Sequence, residues 1–250
     1  LMVKHNGKYY LTYSEGKTID ETYEVRYAVG DNPFGPFAEA GNSPILKVND
    51  SLRVYGPGHH TLFSYGGEDY MLYHRHRLPF VKGTAYRQTC ISKLTFDDDK
   101  NEIKNIIPYH TQAFPDLVKE KREYIQPESV ISNSVLADYA GAENTVDHNY
   151  STRWESADGD ENPALTVSFG DVVTIDTVEV RFEYPWEKYY MKVETSVDGK
   201  DWNTVTDCTK DGISGSPVSI PVAGECKFVR LAFAVSEGNA KPSVWELLFY

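Results

Sequence analysis

Asp147, Asn149 and Thr152 stand two and three residues apart in the stretch AENTVDHNYSTRWES, residues 142–156. Oxygen-bearing side chains so spaced in one loop can wrap a hard cation such as calcium. Trp154 follows at once and can anchor the loop to a core. A polar turn that merely ends on a core tryptophan is the other reading, because Asn, Asp, Ser and Thr abound in loops. A second stretch, YPWEKYY at 184–190, sets several aromatic rings around a proline turn. So many rings are hard to bury together, and exposed ring faces with polar groups at their rim suit a sugar. Core packing is the alternative. His74, Arg75, His76 and Arg77 form a basic cluster. His74 is read as facing a cleft and the other three as a solvated face.

These residues need strands to hold them. The chain has 250 residues, 18 of them Tyr, 18 Gly and 13 Pro. Helical periodicity is nearly absent, which points to an all-β protein. A net charge of −12 with no Lys/Arg stripe excludes nucleic acid as the expected partner. No apolar run is long enough to cross a bilayer, so membrane insertion is not expected. No signal peptide is visible, and a chain that opens at Leu1 inside a strand reads as a piece of a longer protein. Cys90, Cys208 and Cys226 make no disulfide framework. Cys208 and Cys226 could pair, with buried free thiols as the favoured state.

From residue 164 onward, Leu165–Val167–Phe169, Ile175/Val178–Val180–Phe182 and Met191–Val193 alternate with polar residues, the period of half-buried strands. Strands are also expected at 228–233 and 244–250, with hairpin turns at Asp198-Gly199 and at Gly224. Residues 1–107 read differently. Asn6-Gly7 and Gly66-Gly67 each join two Tyr-rich strands, a strand is expected at 23–28, and DNPFGPF (31–37) makes a double turn. Recurring Gly-turn hairpins of this kind suggest propeller blades, about two of them.

The second half resembles the coagulation factor V/VIII type C (discoidin) domain, also the fold of carbohydrate-binding module family 32. The resemblance is carried in order by AENTVDHNYSTRWES, ALTVSFGDVVTIDTVEVRFEY, VETSVDGKDWNTV, KFVRLAF and WELLFY. It implies a structural calcium held by Asp147, Asn149, Thr152 and Glu246, some through backbone oxygens. Ala164 departs from the tryptophan often found there, so one aromatic contact is lost.

The first half resembles the C-terminal part of glycoside hydrolase family 43, five-bladed propellers that cleave terminal sugars with inversion. The matching residues are LMVKHNGKYYLTYSEG, YAVGDNPFGPF, YGPGHHTLF, YMLYHRH and YRQTCISKLTFDD. Inversion needs two carboxyl groups flanking the scissile bond, one acid and one base. The resemblance puts the base Asp and a tuning Asp in earlier blades and the acid Glu just before the strand at Leu1, so no catalytic residue is expected within this chain. Glu15 follows its strand and reads as a loop-rim residue rather than a substitute acid. His59 matches the axial histidine that helps hold a central calcium through water, a lone structural histidine being the plainer alternative; His60 is the variable position. Arg87 matches an arginine that hydrogen-bonds the sugar with its planar fork, and a surface Arg paired with a neighbour is the alternative.

The expected architecture is therefore all-β: C-terminal blades of a five-bladed β-propeller at 1–107, a linker at 108–128 and a discoidin-like jelly-roll sandwich at 129–250. The expected function is the C-terminal portion of an inverting, exo-acting glycosidase of arabinofuranosidase or xylosidase type. Arg87, His74, Trp186 and Tyr184 would meet a polysaccharide or oligosaccharide, calcium would be structural, and the site of action would be secreted or periplasmic in a bacterium. A non-catalytic lectin, or a sandwich that only supports the propeller, are the competing readings.

Overall fold

A computed structural model describes residues 1–108 and 123–250. The chain divides into two compact units, Leu1–Pro115 and Asp116–Tyr250. The linker read at 108–128 falls mostly on 109–122, outside the described residues.

In the first unit, β1 (Met2–His5) and β2 (Lys8–Glu15) meet at Asn6-Gly7, whose φ angles of 45° and 80° give the turn that matches strand twist. Adding β3 (Glu24–Gly30) and β4 (Ala38–Glu39) completes an antiparallel sheet of order β1-β2-β3-β4. The next sheet comprises β5 (Gly58–Tyr65), β6 (Glu68–His76) and β7 (Arg87–Leu94), its first turn made by Gly66-Gly67 at φ 61° and 83°. A short ladder joins β8 (Phe96–Asp97) to β9 (Glu102–Ile103). Two successive up-and-down sheets follow the blade pattern expected, although the second has three strands among the described residues rather than four.

Between the sheets lies a core that includes Tyr10, Val25, Tyr27, Leu46, Met71 and Tyr73. Tyr27 is fully buried, and its phenol donates to Asn42 Oδ1 and accepts from the Ile103 amide at 3.1 Å. Asn42 returns a bond to the Ile103 carbonyl at 2.7 Å, fastening β9 to the first sheet. β6 is the central strand of its sheet, and most of its residues are buried on both faces. That overturns the reading of Arg75 and His76 as solvated: they are 4% and 1% exposed, because the middle strand carries them inside.

The second unit is built from β10 (Ser129–Ser132), β11 (Trp154–Glu155), β12 (Ala164–Phe182), β13 (Met191–Ser196), β14 (Asn203–Asp207), β15 (Val218–Phe233) and β16 (Ser243–Phe249). The first half of β12 pairs with β10 and its second half with β16, while β15 pairs along both halves. The continuous hydrogen-bonded set therefore folds over at the register shifts near 168–173 and 175–177 into two facing layers. Leu165, Val167 and Leu231 from one layer and Val178, Val180 and Leu247 from the other share one core. Gly224 does not turn a hairpin as expected. It lies inside β15 opposite Ile175, beside Ala223 at φ 52°, because a bulge bends the paired strands where the sequence suggested a reversal. Asp198-Gly199 does turn between β13 and β14. All three cysteines are free thiols, Cys226 within the core.

Candidate functional site

The end of the first unit where β2 stops and β5 begins gathers most of the expected propeller residues. Gly58 opens β5 opposite His74, and Arg87 opens β7 opposite His76, so pairing brings His59, His74 and Arg87 to one end. His59 takes φ 50° and is exposed, its amide donating to Ser14 Oγ at 3.0 Å. Its ring centroid lies 6.0 Å from that of His74. His74 is 9% exposed and stacks on Tyr23 at 5.7 Å, and its Nε2 has no hydrogen-bond partner. Burial pushes its pKa down to about 4, with the Arg87 charge adding to the effect, so its ring is neutral. Arg87 itself is exposed. His60 has a different role. Its Nε2 is 2.8 Å from Thr12 Oγ1 and its Nδ1 3.4 Å from Ser14 Oγ, which ties β5 to β2, and burial lowers its pKa to about 4.

Three carboxylates near this end face basic side chains. Glu15 ends β2 rather than following it and pairs with Arg26 at 3.2 Å. Asp20 and Glu21 face Lys82 at 3.8 and 3.3 Å. Tyr23 was missed from sequence as a neighbour of His74, since folding of separate segments brings its ring there, whereas His76 lies beside His74 on β6 itself.

In the second unit, the loop read as a cation site is folded on itself. Asp147 accepts from the Asn149 amide at 2.8 Å and from the Thr152 hydroxyl at 2.6 Å, and Asn149 Oδ1 accepts from the Ser151 amide at 3.0 Å. Trp154 is fully buried, its indole donating to the Ser134 carbonyl at 2.8 Å. Glu246 on β16 is 0% exposed and its carboxylate oxygens lack a close hydrogen bond, the nearest partner being His148, whose Nδ1 lies 3.8 Å from Oε1. Burial, with Asp147 nearby, raises its pKa to about 8. A buried carboxyl without donors is costly unless a cation or proton satisfies it. The donor set fits a hard cation: two carboxylates, an amide and a hydroxyl. Among the described residues no three His, Cys, Asp or Glu side chains gather at one point, so any cation would draw on neutral oxygens as well.

The aromatic loop divides its rings. Tyr189 is buried and stacks on Phe182 at 4.0 Å, whereas Trp186 is 72% exposed and tilts against Tyr184 at 5.7 Å. Tyr184 and Trp186 wall a cleft of about 440 Å³ with Glu155, Glu187, Asn239 and Lys241. Beneath it Arg153, nearly buried, pairs with Glu155 at 2.6 Å and Glu183 at 2.9 Å. Lys241 closes on Glu155 at 2.7 Å and Asp158 at 2.8 Å. This charge network was not foreseen, since its members are scattered over 153–241.

Residues 1–101 match the family model described as glycosyl hydrolases family 43, and residues 144–231 match that of a NedA-like, galactose-binding domain. Over 110 residues the chain is 38% identical to a beta-D-galactofuranosidase of Aspergillus niger, covering 43% of this chain and 30% of that protein. A beta-xylosidase of Xylanibacter ruminicola is 38% identical over 96 residues, 38% of this chain and 27% of that one. A xylosidase/arabinosidase of Bacteroides ovatus is 36% identical over 98 residues, 39% of this chain and 27% of that one. The chain thus spans less than a third of the length of these curated relatives. A solved glycoside hydrolase superposes on all of this chain with a TM-score of 0.77 at 23% identity, 58% of that chain being covered, which shows the fold.

Proposed function

For a chain that joins a family 43 glycosyl hydrolase segment at residues 1–101 to a NedA-like, galactose-binding domain at 144–231, we propose the role of C-terminal portion of an inverting, exo-acting glycosidase that removes arabinofuranose- or xylose-type sugars from polysaccharide. The observation that carries this reading is the family match together with the convergence of His59, His74 and Arg87 on one end of the unit. Arg87 offers a planar fork to paired sugar hydroxyls. His74, neutral and with a free Nε2, offers one further hydrogen bond to a hydroxyl. Acid and base would come from carboxyl groups other than Glu15, Asp20 and Glu21, which face Arg26 or Lys82.

Calcium would be bound in the sandwich by Asp147, Asn149, Thr152 and Glu246, where it would cross-link the loop to β16 and neutralise Glu246. His59 would hold an axial calcium of the propeller through water. Tyr184 and Trp186 would stack on glycan. Such polysaccharide is met outside the cytoplasm, so the protein would act as a secreted or periplasmic one. The exposed Trp186 cleft also supports a second reading, a carbohydrate-binding protein without catalysis.

The test is hydrolysis of aryl α-arabinofuranosides and aryl β-xylosides by the protein with its complete propeller, with the product anomer followed by NMR. Inverted product, and at least a tenfold loss of kcat/KM in Arg87→Ala, are expected. Glycan binding without turnover would transfer the function to the second reading.

A further inference from the structure

β5 opens on an irregularity that the neighbouring sheet holds in place. Gly58 pairs with His74 and Thr61 with Leu72, so His59 and His60 stand opposite one residue of β6, Tyr73. Two residues against one is a β-bulge, which bends a strand and re-aims its side chains. His59 takes up the bend at φ 50°, a conformation costly for a residue with a Cβ. Its amide turns to the first sheet and donates to Ser14 Oγ at 3.0 Å.

β2 supplies the rest of the support. Thr12 and Ser14 are two residues apart on that strand, so their hydroxyls share one side of it. They grip the His60 ring, with Nε2 2.8 Å from Thr12 Oγ1 and Nδ1 3.4 Å from Ser14 Oγ. Thr12 Oγ1 lies in turn 3.4 Å from the Leu1 carbonyl. The ends of this chain fix the direction of each link, because an amide N–H only donates, a carbonyl only accepts and a hydroxyl gives a single proton. Thr12 donates to Leu1 and therefore accepts from His60 Nε2–H. In the neutral ring Nδ1 then carries no hydrogen and accepts from the Ser14 hydroxyl, whose oxygen accepts from the His59 amide. Thr12 is fully buried and His60 half-buried, which shields the links from water. The same bulge leaves the His59 ring exposed, 6.0 Å from that of His74, while the His60 ring is committed to β2.

We propose that Ser14 is a positioning residue: it takes the His59 amide, sets the hydrogen of His60 on Nε2 and so holds His59 in its left-handed conformation beside His74. That the ring so held serves sugar binding rests on the glycosidase reading, whereas the positioning is tested without it. Long-range ¹H–¹⁵N spectra of the imidazoles are recorded on the ¹⁵N-labelled 250-residue chain at neutral pH. His60 should show its hydrogen on Nε2 and a bare Nδ1. In Ser14→Ala this single tautomer should be lost and the ring signals of both His59 and His74 should shift; Ser14→Thr, which keeps the hydroxyl, should restore all three. Should Ser14→Ala not fold, the unsubstituted and Ser14→Thr spectra still decide, since a hydrogen on His60 Nδ1 in either contradicts the chain of bonds. In the complete propeller, Ser14→Ala should lower kcat/KM for aryl arabinofuranosides or xylosides by about fivefold or more, as misplaced binding groups do, and Ser14→Thr should recover it. His59 and His74 signals indifferent to Ser14→Ala, or an unchanged kcat/KM in that variant, would overturn the proposal. Absent turnover in every form, with the imidazole signature and its response to Ser14→Ala intact, would uphold the positioning and count against the glycosidase reading alone.

Discussion

Glu246 is a buried carboxyl in an unfavourable setting. It is fully buried, has among the described residues only His148, at 3.8 Å, as an ion-pair partner, and lies near Asp147. If calcium occupies this place, adding it should raise the thermal midpoint of the sandwich transition. The gain would be equivalent to about 2.7 kcal/mol at a hundredfold excess over Kd. Glu246→Gln should abolish that calcium response, and a midpoint indifferent to both calcium and EDTA would exclude the site. Tyr27 shows the opposite condition, a buried polar group fully partnered. Tyr27→Phe strands the buried Ile103 amide and should cost the first unit about 1–3 kcal/mol in denaturant titrations. Burial raises the Tyr27 pKa to about 12. Its folded pKa thus exceeds the unfolded value near 10, so its contribution is whole below pH 10 and drains away between 10 and 12. The substituted chain should lose less stability than the parent across that interval.

At the scale of elements, β6 decides what the first unit can present. As the central strand it buries His74, Arg75 and His76 and sets His74 opposite Gly58, the first residue of β5. Gly58 makes that approach possible: a Cβ there would lie 2.5 Å from the Tyr23 ring. Gly58→Ala should therefore push Tyr23 off His74 and destabilise the unit by about 1–3 kcal/mol, as overpacking does. Denaturant titration gives the first effect and the His74 ring signals in NMR the second; an unmoved His74 spectrum would refute the steric account. Alternation of apolar residues made β12 and β15 legible as strands, but not as single long ones. A bulge and a turn share the same local residues, and only the pairing partner across the sheet distinguishes them.

For the molecule as a whole, two units with separate cores should unfold in two steps, of which the sandwich step is the one that Glu246→Gln makes insensitive to calcium. Glycoside hydrolysis by inversion requires an acid and a base about 6.5–9.5 Å apart. At the His59–His74–Arg87 end, Glu15, Asp20 and Glu21 are bound to Arg26 or Lys82, and Glu21 is held below the ordinary carboxylate range by its own backbone amide and by Lys82. We therefore expect the 250-residue chain alone to release no nitrophenol from aryl arabinofuranosides or xylosides. Detectable turnover abolished by Arg87→Ala would contradict this.

The all-β class, the two halves and the turns at Asn6-Gly7, Gly66-Gly67 and Asp198-Gly199 could be read from the chain alone, because alternation and turn chemistry are local properties of neighbouring residues. The buried role of Trp154 could be read the same way. Three things could not: the burial of Glu246, the burial of Arg75 and His76, and the meeting of Arg53, Tyr55 and Phe80 around one cleft. Burial and hydrogen-bond satisfaction depend on which distant strands and loops cover a residue, and that is decided only when the sheets pack.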